Sequence, residues 1–152
     1  MTIEDILEYF CGKYPLPHEL SKARITKMVY LADWESCLRH GRQLTGIQWY
    51  FHNFGPYVED VIEAARRSPN LDVVESENLY GDAKQLIKCR PNVGAPSLDR
   101  NTQSILDNVI LETKSLYWAE FIKYVYATPP IANSTRYSSL DLVKFARSLA
   151  KA

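Results

Sequence analysis

The segment from Thr26 to Val61 contains three runs that decide the fold. Residues 26–35 read Thr-Lys-Met-Val-Tyr-Leu-Ala-Asp-Trp-Glu. Residues 40–46 read His-Gly-Arg-Gln-Leu-Thr-Gly, and residues 48–61 read Gln-Trp-Tyr-Phe-His-Asn-Phe-Gly-Pro-Tyr-Val-Glu-Asp-Val. The first is helical, the second a turn and the third an aromatic strand followed by a sharp turn. Asp33 stands in mid-helix among Leu31, Ala32 and Trp34, where a buried carboxylate without partners is costly. It is expected to accept hydrogen bonds from the amides of the Leu44–Gly46 turn or from the start of the segment after Gly55. Gly46 and Gly55 are expected to adopt positive φ or to admit a close backbone approach. Pro56 suits the first position of a helix, where its missing N–H costs nothing.

Outward from this segment, Ser21 caps a helix to about His40, stopped by Gly41. Ile25, Met28, Val29, Ala32 and Leu38 lie near one face of it, flanked by Tyr30 and Trp34. Lys22, Arg24, Lys27, Arg39 and, just beyond, Arg42 make a basic polar side. Upstream, Thr2–Gly12 is a short helix with Thr2 as N-cap and Asp5 completing a capping box; Pro15 and Pro17 stop it. Ile47–His52 is a strand, and Pro56–Arg67 a helix burying Val58, Val61, Ile62 and Ala65. Leu71–Glu77 and Lys84–Arg90 form a hairpin around Tyr80-Gly81-Asp82. Helices at Asp99–Thr113, Ser115–Tyr126 and Ser139 to about Lys151 complete the chain, with Thr128-Pro129-Pro130 separating the last two. The expected architecture is α+β: a mostly helical single domain over residues 1–152, with about six helices and a small antiparallel sheet of about three strands.

Composition narrows the function classes. In 152 residues, 46% are hydrophobic and 12% aromatic, enough for a packed core and too apolar for a disordered chain. Eighteen Lys and Arg balance eighteen Asp and Glu, against a dedicated electrostatic binder of nucleic acid. No apolar run reaches the ~20 residues of a membrane helix, and Glu4, Asp5 and Glu8 stand where a signal peptide carries cations. A soluble, cytoplasmic protein is expected.

Chemistry is sparse. His18, His40 and His52 lack metal-ligand spacing, and the three cysteines, Cys11, Cys37 and Cys89, suggest neither a zinc site nor a disulfide framework. There is no nucleophile elbow and no Gly-rich phosphate loop. Glu59, Asp60 and Glu63 favour a helix N-terminus rather than acid–base work. No enzymatic role and no cofactor are expected. The order helix, helix, strand, helix, hairpin approaches that of a winged helix, and Lys84, Lys88 and Arg90 would make the hairpin a basic wing. Asp72, Glu75, Glu77 and Asp82 offset that charge, so DNA binding is the lesser reading.

Residues Lys27, Tyr30, Ala32, Asp33, Gly41, Leu44, Thr45, Gly46, Trp49, Gly55, Pro56 and Val58 follow the pattern of the SocA-like Panacea antitoxin domain, a family that includes phage-associated proteins, which this chain resembles. Tyr117-Trp118-Ala119 and Ser138-Leu140-Asp141 are compatible with it; Tyr57, where many relatives are aliphatic, departs from it. The resemblance implies a non-enzymatic antitoxin that neutralises a toxin encoded beside it by protein contact. The toxin would be blocked directly or delivered to a protease, and a shared scaffold would present a variable surface. Lys27, Tyr30, Asp33, Gly46, Gly55 and Pro56 are assigned to architecture. Trp34, Arg39, Arg42, Trp49, Tyr50 and Tyr57, with Phe51, are the candidate partner contacts, since Trp, Tyr and Arg dominate interface energetics. Alternation along a strand turns part of the Trp49–Phe51 run inward, so at most half of these touch a partner.

Overall fold

The computed structural model describes residues 1–77, 81 and 83–150. Its elements in order are α1 (Ile3–Lys13), a 3-10 turn at Pro17–Glu19, α2 (Lys22–His40), β1 (Trp49–His52), β2 (Gly55–Pro56) and α3 (Asp60–Arg67). There follow β3 (Leu71–Glu77), β4 (Ala83–Cys89), α4 (Arg100–Thr113), α5 (Trp118–Tyr126), α6 (Pro129–Ala132), β5 (Ser138–Leu140) and α7 (Leu142–Ala150). The fold is α+β as expected, with seven α-helices and five strands in two antiparallel sheets among the described residues.

The local signals act as their chemistry dictates. Thr2 and Asp5 close a reciprocal capping box on α1. The Ser21 side chain accepts from Arg24 N at 3.1 Å, and Gly41 ends α2 at φ 74°. Asp99 accepts from Thr102 N at 2.7 Å to start α4. The β3–β4 hairpin runs in register from Leu71 opposite Cys89 to Glu77 opposite Ala83. Tyr80 and Asp82 of its expected turn, and Lys151 at the expected end of the last helix, lie outside the described residues.

α2 is the axis of the molecule. Every residue from Arg24 to Trp34 is buried, because α1, α3, α4, α7 and β4 all pack against it. An amphipathic helix with one basic face was expected. The structure corrects this: Arg24 and Lys27 lie inside, and Leu38, expected on the apolar side, is exposed. A helix covered all round loses its solvent face regardless of its pattern.

Three further expectations change. Pro56 does not begin a helix; it pairs with Phe51 in the edge strand β2, where a missing N–H is tolerated. α3 begins only at Asp60, and Val58 is half-buried. The segment from Ser139 is not one helix: Ser138–Leu140 pairs with β1, and Asp141 caps α7 by accepting from Lys144 N at 3.0 Å. β1 thus sits centrally in the order β2-β1-β5, burying Trp49 and Phe51 and turning Tyr50 and His52 outward. Its open edge recruits a segment almost ninety positions away, which local periodicity cannot register.

Candidate functional site

Three buried charged side chains on α2, Arg24, Lys27 and Asp33, organise the site. Asp33 is fully buried and holds the turn that follows the helix. Its Oδ1 accepts from Thr45 N at 2.9 Å; its Oδ2 accepts from Thr45 Oγ1 at 2.5 Å and Trp49 Nε1 at 2.8 Å, with Gln43 Nε2 at 3.4 Å. The expected donors in the Leu44–Gly46 turn are thus present through Thr45, and the segment after Gly55 supplies none. Burial pushes the Asp33 carboxyl up to about 6 against the opposing pull of these bonds. Tyr30 packs edge-on against Trp49, with ring centroids 5.6 Å apart, and its hydroxyl meets Thr128 Oγ1 at 2.8 Å. Asp33 and Tyr30 thus tie α2 to the following turn, to β1 and to Thr128.

Arg24 and Lys27, one turn apart, are both buried but differ in their company. The Arg24 guanidinium donates to Tyr14 Oη, Thr113 O and Leu116 O at 2.8–3.2 Å and lies 4.4 Å from the Phe121 ring centroid. It ties α2 to the C-terminal end of α4. Lys27 is 2% exposed, yet among the described residues its Nζ has no hydrogen-bond acceptor and no ion-pair partner. Its Nζ lies 6.0 Å from the centroid of the Trp118 ring. Burial alone lowers its pKa from 10.5 to about 8.

Lys27 lines a cavity of about 430 Å³ bounded by Lys22, Ala23, His52, Asn53, Phe54, Tyr57, Glu59 and Trp118. A second cavity of about 580 Å³ shares Lys22, Ala23 and Trp118 and continues to Tyr117. The aromatic rims are solvated: Phe54 is 78% exposed, Tyr117 77% and Trp118 47%. Around them runs a chain of edge-on rings, Tyr50–His52–Tyr57 with Tyr137 against His52, at centroid spacings of 5.9–6.3 Å. Tyr137 takes φ 66°, a costly conformation for a bulky residue. It is held by its N–H donating to Phe51 O at 2.6 Å and its hydroxyl donating to Asn53. Lys22 Nζ sits 5.6 Å over the Tyr57 ring. One face therefore presents large aromatics around a cationic floor.

The family model described as "Antitoxin SocA-like, Panacea domain" matches residues 25–130. The chain belongs to this family. The match takes in α2 from Ile25 onward, the Asp33 knot, the Lys27 cavity apart from Lys22 and Ala23, and α5, and stops before β5 and α7. No curated protein and no solved structure matches the chain.

In this Panacea-domain chain the candidate contacts divide. Tyr50 and Tyr57 are half-buried and join the aromatic face. Trp34 and Trp49 are not exposed aromatics, at 6% and 1%, and Phe51 is also buried; the demand of the core for ring area takes all three. Arg39 and Arg42 are exposed but lie along α4, apart from the aromatic face. Arg39 pairs with Glu35 at 3.0 Å and donates to Ser104 at 3.0 Å. Asp99 is held low first by its bond from Thr102 N and also by the Arg42 charge. Gly46 has neither a positive φ nor a close neighbour, contrary to expectation, whereas Gly55 has both. On the hairpin, Arg90 pairs with Asp72 at 2.9 Å, so part of the expected basic wing is neutralised. No group of three or more metal-ligating side chains forms among the described residues, and no helix among them is long and apolar enough to cross a membrane.

Phe54, Tyr117 and Trp118, exposed on the aromatic face, were not among the residues the sequence singled out as candidate contacts. A signal was present for Phe54: a large aromatic at the tip of an Asn-Phe-Gly-Pro turn lies where chains are normally solvated. Periodicity placed Lys27 on the basic face; only the family pattern set it apart from Lys22 and Arg24.

Proposed function

We propose that this chain is the antitoxin of a toxin–antitoxin pair, neutralising a toxin encoded beside it by direct protein contact and without bond-making of its own. The observation that carries this reading, beside family membership, is the face formed by Phe54, Tyr57, Tyr117 and Trp118 over two lysines. Exposed aromatics that converge on a cavity are a feature of interaction sites, because they bury large area at small entropic cost.

Co-expression with the product of the adjacent gene tests the proposal. The expected result is rescue of growth and co-purification of a stable complex burying at least ~1,200 Å². The double substitution Phe54→Ala, Trp118→Ala is expected to abolish rescue while the thermal melt is retained. Arg39→Ala, on the α4 side, is expected to leave rescue intact. A toxin that remains fully active beside excess folded protein overturns the reading.

A further inference from the structure

The Lys27 cavity has a property that the aromatic face does not explain. Lys27 carries its ammonium to the cavity with no hydrogen-bond or ion-pair partner among the described residues, an unfavourable placement for a charge drawn largely out of water. It does so one turn from Arg24, whose guanidinium donates to Tyr14 Oη, Thr113 O and Leu116 O. The Lys27 chain is held by the fold: its Cε comes within 3.5 Å of where a Gly55 Cβ would stand, beside the Tyr126 ring. The charged tip is therefore presented at a fixed position in a cavity walled by Trp118, Phe54 and Tyr57. The other titratable groups lining the cavity are Lys22, His52, Tyr57 and Glu59. Lys22 rests on the Tyr57 ring, and Glu59 accepts from Tyr57 Oη at 3.1 Å. Neither neutralises Lys27.

We infer that the Lys27 cavity is a socket for one acidic side chain, an Asp or Glu of the toxin, which enters between the aromatic rims and pairs with the unpartnered Lys27 ammonium. The inference rests on the antitoxin reading and specifies its chemistry. A monoanionic carboxylate matches a single deep point charge. A phosphate group is usually met by an Arg fork or a nest of backbone amides, and Glu59 in the wall repels a dianion about twice as strongly as a monoanion. The apolar rims would exclude water once occupied, which strengthens the pair in proportion to the loss of dielectric screening.

The test has two arms. In the first, the free protein labelled with 15N-lysine is titrated with sodium acetate, and separately with inorganic phosphate, while the Lys27 Nζ resonance and its pKa are followed. A saturable shift with acetate is expected, the pKa moving from about 8 toward 10.5, and a weaker response to phosphate. A Lys27 response no larger than that of the exposed Lys144, or a stronger one to phosphate, overturns the carboxylate socket. In the second arm, Lys27→Met is expected to weaken capture of the adjacent-gene toxin about 100-fold, as loss of one partner from a buried charge pair does. Equal capture by parent and variant overturns the socket and leaves the antitoxin reading standing. Failure of the parent to capture the toxin overturns the antitoxin reading, and with it the assignment of the acidic side chain to that partner, whatever acetate does. The acetate arm needs no substitution, so a variant that fails to fold does not shield the inference.

Discussion

At the scale of single residues, two of the three buried charges of α2, Lys27 and Asp33, make opposite predictions. Lys27 has a folded pKa of about 8 against 10.5 when solvated. Between those values the folded chain holds fewer protons than the unfolded one, so stability rises with pH from about 8 to 10.5 and the burial cost is fully present at neutrality. Lys27→Met keeps the length and removes the charge. It is expected to stabilise the free protein at pH 7 by up to about 3 kcal/mol and to abolish that rise, both measurable by chemical denaturation. A structural lysine would show the reverse sign. Asp33 has a pKa raised to about 6 from 3.8. In that window the folded state keeps a proton that the unfolded state releases, so its contribution to stability falls as pH rises through it. Asp33→Asn places an amide NH₂ against the Thr45 and Trp49 donors. It is expected to cost about 2–4 kcal/mol, with the gap to the parent narrowing between pH 3.8 and about 6. Asp33 was legible in the sequence because a carboxylate among apolar neighbours needs donors, and a turn that could supply them follows closely. Lys27 was not, since its burial is imposed by α5 and the β1–β2 turn, which no local pattern connects to it.

At the scale of elements, the β1–β2 turn separates two glycines that the sequence marks alike. Gly55 has φ 106°, and an added Cβ would stand 3.2 Å from Tyr126 Cε1 on α5. Gly46 has an ordinary φ and open space around it. Gly55→Ala is therefore expected to destabilise by about 1–3 kcal/mol, from backbone strain and displacement of the Tyr126 ring. Gly46→Ala is expected to stay within about 0.5 kcal/mol of the parent. Thermal melts of the two variants side by side decide this, and equal losses would contradict the distinction. Helix caps, the hairpin and the inward–outward alternation of β1 were readable because each is set by residues within a few positions of one another. The β2 pairing of Pro56 and the conversion of Ser138–Leu140 into a strand were not, because the edge of β1 decides both.

At the scale of the whole molecule, the segment that identifies the family is only part of what makes the chain a folding unit. The match ends at residue 130 and begins at residue 25, yet β1 takes one of its two sheet partners from Ser138–Leu140, and α2 is covered on separate sides by α1 and α7. From α1, Ile6, Leu7 and Phe10 are each fully buried. At about 1.5–3 kcal/mol for each such side chain, their removal alone withdraws roughly 5–9 kcal/mol, comparable to the 5–15 kcal/mol by which a domain is stable at all. Removal of β5 also leaves the backbone of Trp49–Phe51 without its ladder, and removal of α7 uncovers the α2 face that buries Leu142 and Ala146. A fragment of residues 25–130 is therefore expected to show no cooperative thermal transition and poorly dispersed amide resonances, while the full chain shows both a transition and good dispersion. A cooperative melt of the fragment would mean that the matched segment folds alone and that its ends are additions. The same dependence constrains how the aromatic face can vary. Phe54, Tyr57 and Trp118 stand on the short turn and helix start that border Lys27, so their side chains can change without disturbing the ends, whereas Trp49 and Phe51, which fix that turn from beneath, cannot.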